Sequence, residues 1–258
     1  MKNLKKNICF SGLLALFALS SQAQETLVTS IEMPDNKVYD MVYGADNILF
    51  LVSCREANSS KAQSSITILH PNDSGIISEY RVFDADGNST TVSRDEVLIF
   101  KKWKLYHVDR TEHASEGDTY IVDRAGVQMP GDSKDITFEW SGNSLSKMVT
   151  ERAEYKFKYS RHSFLLSNPH SRDWFCFILN KILTPDFFSF WYVGMIYPFE
   201  KYPSEIIYKS INGEEKKLAF NYKWLPNGSL LIDYEWIIDR HSLGHKFIKV
   251  NFETIQLY

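Results

Sequence analysis

Apolar and polar residues alternate with a period of two along much of this chain, and the alternation returns with one shape. Tyr39, Met41 and Tyr43 are followed six positions later by Leu49, then Leu51. Phe220, Tyr222 and Trp224 are followed at the same offset by Leu230 and Ile232, and Tyr155, Phe157 and Tyr159 by Leu165. Ile136, Phe138 and Trp140 form a shorter copy, with Leu145 five positions on. Ile66, Ile68 and His70, followed by Ile76, make a degenerate fifth. Residues i, i+2 and i+4 of a strand share one face, so each copy offers an apolar, mostly aromatic stripe to a core.

The segments between these stripes carry turn chemistry. Gly44 to Asn47, Ser141 to Asn143 and Pro226 to Gly228 join the two halves of three copies. Asp84 to Asn88, Asp123 to Gly126 and Asn212-Gly213 read as further hairpin tips. Gly and Asn accept the positive φ that tight hairpin turns require. A single hairpin cannot bury its own apolar face, but several side by side can. The pattern therefore predicts an all-β domain of repeated antiparallel hairpins, forming one or two large twisted sheets.

One stretch does not alternate. Residues 174–199 are dense in apolar and aromatic side chains, interrupted by Asn180, Lys181, Pro185 and Asp186. Those interruptions argue against a membrane-spanning helix and for a short helical insertion near 173–183, stopped before Pro185. Its expected job is to cap an open end of the sheet or fill the core. A docking surface is the alternative, and Trp174, Trp191, Tyr192 and Tyr197 are the candidate ligand or partner surface. Such rings could stack on sugars or equally fill the core.

The N-terminus changes the picture by placing the protein. Lys2, Lys5 and Lys6 precede an apolar run from Ile8 to Leu19, too short to span a bilayer, and Ser21-Gln22-Ala23 suits a cleavage site. The expected organisation is a signal peptide over 1–23 and a single hairpin-repeat domain over 24–258, with no transmembrane span in the mature chain. The whole chain carries 29 Lys and Arg against 32 Asp and Glu. Removing 1–23 removes three lysines and no acid, leaving a net charge of −6. That balance disfavours a nucleic-acid partner, which needs a concentrated positive surface. Cys54 and Cys176 remain; in an oxidising compartment they could form one disulfide, or both could be small buried hydrophobes.

Little in the sequence speaks for catalysis. His241 and His245 have the i, i+4 spacing of metal ligands, but they lie between strand-like runs with Gly244 between them, where a polar hairpin tip is the better reading. His107, Asp109, Glu112 and His113 read as a solvated strand end. Trp103 reads as core. No nucleophile elbow, Ser-x-x-Lys or glycine-rich phosphate cradle is present, and the greasy surroundings of Cys176 would raise its thiol pKa. No catalytic residue, cofactor or metal is expected.

The stripe-and-Leu hairpins at Tyr39–Leu49 and Tyr155–Leu165 resemble YD-like repeats. The order near the C-terminus adds to this: an apolar segment at 174–183, Gly194, Lys201 to Ile206, then a final hairpin over 218–236. Together they resemble an uncharacterised family of secreted or surface proteins of Gram-negative anaerobes, covering about residues 130–258 well and 31–100 loosely. Two departures stand out. The signal lacks a lipid-accepting cysteine, and Gly44, Ser160 and Leu225 stand where YD repeats carry Asp. The resemblance implies a fold and a location, and no catalytic residues. The expected role is a non-enzymatic periplasmic or surface protein that binds an unidentified envelope protein. A carbohydrate-binding module for glycans or peptidoglycan is the alternative, and a hydrolase without a recognisable motif comes third.

Overall fold

Alternation becomes strand wherever the chain is described. The computed structural model describes residues 24–44, 49–72, 75–99, 119–128, 135–160, 173–183 and 201–256. The first six strands are β1 (Gln24–Glu32), β2 (Lys37–Tyr43), β3 (Leu49–Glu56), β4 (Ala62–Asn72), β5 (Gly75–Phe83) and β6 (Ser89–Ile99). Next come β7 (Thr119–Val122), β8 (Gly126–Gln128), β9 (Ile136–Ser141), β10 (Ser144–Val149) and β11 (Ala153–Lys158). Helix α1 (Asp173–Ile182) follows, then β12 (Glu205–Ser210), β13 (Glu215–Trp224), β14 (Leu230–Ile238) and β15 (His241–Gln256).

Each strand pairs with its successor, and β1 pairs with both β2 and β15, so one sheet of 15 strands closes into a barrel. Every pairing is antiparallel except β6 with β7. The fold class is the expected one, with a single large sheet. Closure itself is new, because the pairing of the first strand with the last leaves no local mark in the sequence.

The repeats fall where the spacing puts them. Four copies lie on β2–β3, β4–β5, β9–β10 and β13–β14, each a hairpin. The fifth begins on β11, and its Leu165 lies outside the described residues. The first-strand stripes point inward: Met41, Phe138, Tyr155, Phe157 and Phe220 are buried in one core cluster. Gly142, Gly213 and Gly228 have positive φ at three of the expected turns. A Cβ on Gly126 would collide with the Ile136 carbonyl oxygen, which is how closely β8 and β9 approach there.

A barrel this wide needs a filling. At about 4.8 Å between strands and a tilt of about 40°, 15 strands enclose a round barrel roughly 30 Å across. Inward side chains cannot meet across that span, and a helix roughly 10–12 Å thick takes up much of the remainder. Helix α1 has the required surface. Trp174, Phe175, Cys176, Phe177, Ile178 and Leu179 are all at most 1% exposed, so this part of the helix is buried on every side. Trp174 packs on Phe252 of β15 and on Tyr202, while Phe177 meets Tyr39 of β2 edge-on at 4.9 Å. The insertion is therefore core, inside the barrel.

The outward faces of β9 to β13 carry a row of ion pairs. Lys147 bridges Glu139 and Glu154, Lys156 pairs with Glu154, and Lys158 and Lys217 converge on Glu205. This zigzag crosses β9 to β13. It inverts the plan of a lipid-embedded barrel, which is apolar outside and polar within.

Candidate functional site

Closure of the barrel stops short of the end of its longest strand. β15 runs with β1 from Gln256, opposite Gln24, to Lys249, opposite Glu32. There β1 ends, and a tight turn closed by Met33 N–H donating to the Lys37 carbonyl leads into β2. β15 continues for eight more residues, His241 to Ile248, paired only with β14 among the described residues. Among the described residues the β14–β15 hairpin thus projects past the seam with one edge of β15 unpaired, a length of roughly 26 Å.

Local chemistry shapes this hairpin. Asp239 and Arg240 form its turn with φ of 50° and 69°, the two positive values a type I′ turn requires. A bulge at Leu243–Gly244 opposes Trp236, where the register shifts between Glu235 and Ile237. Gly244 takes φ of 94° there and donates its N–H to Ser242 Oγ at 3.0 Å. Residues 239–247 are all exposed, and Leu243 and Phe247 keep 63% and 51% of their surface in water. Both are large apolar side chains on a strand that has no neighbour on that side among the described residues.

Charge is distributed unevenly across the hairpin. From Arg240 to Val250 every ionisable side chain on the strand side is basic: Arg240, His241, His245, Lys246 and Lys249. Lys249 is committed to Glu32 at 2.8 Å. His245 Nδ1 lies 2.8 Å from Asp233 Oδ1, and its Nε2 lies 3.8 Å from Glu235 Oε2 on β14. The hydrogen bond from Asp233 raises the His245 pKa above its ordinary value. The sequence reading of 239–245 as a polar hairpin tip matches this geometry. What it missed is the free edge, set by the unequal reach of two strands at opposite ends of the chain.

Other candidates fall elsewhere. Trp174, nominated for a ligand surface, is 1% exposed and offers no face to solvent, because α1 is inside the barrel. Trp191, Tyr192 and Tyr197 lie outside the described residues, as do Trp103 and the cluster of His107, Asp109, Glu112 and His113. Cys54 and Cys176 are free thiols, both buried. At the C-terminal end of α1 the Lys181 ammonium sits 5.2 Å from the ring centres of both Tyr39 and Phe177. Desolvation by burial lowers the pKa of this ammonium, although the residue as a whole keeps solvent exposure. An open depression of about 570 Å³ on the outer surface of β2–β4 is floored by Arg55. Arg55 grips Asp40 through two nitrogens and the Ser59 carbonyl through a third. Among the described residues no group of three or more His, Cys, Asp or Glu is placed to hold a metal.

No protein-family model matches the chain, YD-type repeats included, and no characterised protein matches it in sequence. Among solved structures, a porin-like protein from Bacteroides uniformis ATCC 8492 superposes with a TM-score of 0.43 at 10% identity, covering 90% of this chain and 96% of that one. The dehydratase domain of RzxB from Pseudomonas fluorescens gives a TM-score of 0.14 at 11% identity, covering 97% and 83%. Similarity at these levels carries no argument about what this chain does.

Proposed function

We propose that this is a non-enzymatic binding or scaffold protein of the cell envelope that works through protein–protein contacts on its outside. The export-type N-terminus over 1–23 and the resemblance to secreted and surface proteins support the location. The free edge of β15 carries the mode of action. A row of backbone donors and acceptors unpaired among the described residues, flanked by exposed Leu243 and Phe247, is the surface on which another chain adds a strand. The glycan alternative has no such support among the described residues, because the one platform residue described, Trp174, is buried.

Photo-crosslinking in whole cells tests this. Benzoylphenylalanine in place of Leu243 is expected to give one discrete adduct with an envelope protein, and the same group at exposed Asn221 none. Equal labelling from both positions, or none from either, would overturn the reading.

A further inference from the structure

The edge of β15 also specifies the kind of chain it receives. We infer that its occupant is an extended, acidic segment of a partner protein, adding as a strand beside His241–Ile248; this rests on the edge being the contact. An added strand has the side chains of β15 as its cross-strand neighbours, and opposite charges there stabilise while like charges destabilise. Those neighbours are His241, His245 and Lys246, with Arg240 just before them in the turn and no acid on the strand before Glu253. Of the hairpin's acids, Asp239 sits in the turn beside Arg240, and Asp233 and Glu235 lie one strand further in, where they face His245. Among the described residues Arg240 and Lys246 have no ion-pair partner, so both are open to one.

The two faces of the edge ask for different things. Lys246 is opposite inward-facing Tyr234, so it points to the lumen side, while Phe247 is opposite Asp233 and points outward. A matching strand presents carboxylates toward Lys246 and apolar side chains toward Phe247, alternating along its length. A second copy of this chain fits poorly, since it would lay the same basic strand against itself. The bulge at Leu243–Gly244 and Lys246 are also devices that keep edges from pairing indiscriminately.

The test uses labelled peptides of alternating Val and Glu, Val and Lys, or Val and Thr, titrated by fluorescence anisotropy against the purified protein. The Val–Glu peptide is expected to bind about ten-fold or more tightly than the Val–Lys peptide. The double variant Arg240→Glu, Lys246→Glu should reverse that order, and hydrogen exchange should show protection confined to 241–248 and its flanks. Both substitutions are at exposed positions, so folding is retained and circular dichroism confirms it. Equal binding of all three peptides, no binding of the acidic one, or protection elsewhere would overturn the inference. So would dimerisation in sedimentation that the charge reversal strengthens. A crosslink retained at position 243 beside any of those results leaves the edge as a contact and removes only its acidic preference.

Discussion

Glu32 stands where the barrel closes, and its partners show how single side chains hold a seam. Its carboxylate accepts from Lys249 Nζ at 2.8 Å and Asn251 Nδ2 at 2.9 Å. Asn251 in turn donates to Ser30 Oγ at 3.0 Å and accepts from Ser229 Oγ at 2.8 Å, tying β14, β15 and β1 together. The hydrogen bond from Lys249 holds the Glu32 pKa below its ordinary value of 4.5. A lowered carboxyl pKa contributes stability that is present above the unfolded value and lost as pH falls through the folded one. Glu32→Gln should therefore cost about 0.5–1 kcal/mol at pH 7, the modest figure reflecting a half-exposed side chain, and should flatten the loss of stability on acidification below about pH 5. Denaturant unfolding at pH 7 and pH 3.5 reads both. The sign reverses at His245. Its raised pKa adds stability that is complete below the ordinary 6.5 and lost as pH climbs through the folded value. An NMR titration should give a His245 midpoint above 6.5, returning toward it in Asp233→Asn.

Among the elements, α1 departs from the rule that the rest obey. Strands alternate because one face meets the core, whereas α1 is apolar all round because it is surrounded. Two tyrosines of the core bond their hydroxyls to backbone: Tyr159 Oη donates to the Leu145 carbonyl at 2.6 Å and Tyr222 Oη to the Pro203 carbonyl at 2.7 Å. Among the described residues Trp174 Nε1 has no hydrogen-bond acceptor. Trp174→Ala should thus cost about 3–5 kcal/mol and lower Tm by roughly 6–20 °C, while Trp174→Phe keeps most of the ring, removes the unpaired donor and should cost under about 1 kcal/mol. A calorimetric comparison of the two variants checks this; equal losses would place Trp174 outside the packed interior.

These elements were legible to different degrees. Stripes such as Phe220, Tyr222 and Trp224 with the turn at Pro226–Gly228 fix a hairpin through contacts a few residues apart, so period and turn chemistry reveal it. The non-alternating run at 174–183 announced a helix, and its density of aromatic residues left capping and core equally open. The edge at 241–248 was not legible, because it exists only through the ends of β1 and β15, more than 200 residues apart.

At the scale of the molecule, the described strands enclose an apolar core, and β9 to β13 carry a row of Lys–Glu pairs on their outer face. The Lys–Glu zigzag over β9 to β13 would have to enter hydrocarbon if the barrel spanned a bilayer, at a cost of about 2–4 kcal/mol per Lys near the midplane. The protein is expected to partition into the aqueous phase on Triton X-114 separation; recovery in the detergent phase would contradict that. Everything else in the account depends on the barrel being closed around α1, and two native thiols report on it. Cys176 on α1 is 0% exposed and Cys54 on the lumen side of β3 is 7% exposed. The decisive measurement is maleimide labelling of the native and the guanidinium-unfolded protein, mapped by mass spectrometry. Both thiols are expected to stay unlabelled in the native state and both to be labelled on unfolding. Native labelling of Cys176 at the rate of an exposed thiol would contradict it, and α1 would then lie on the surface rather than in the lumen.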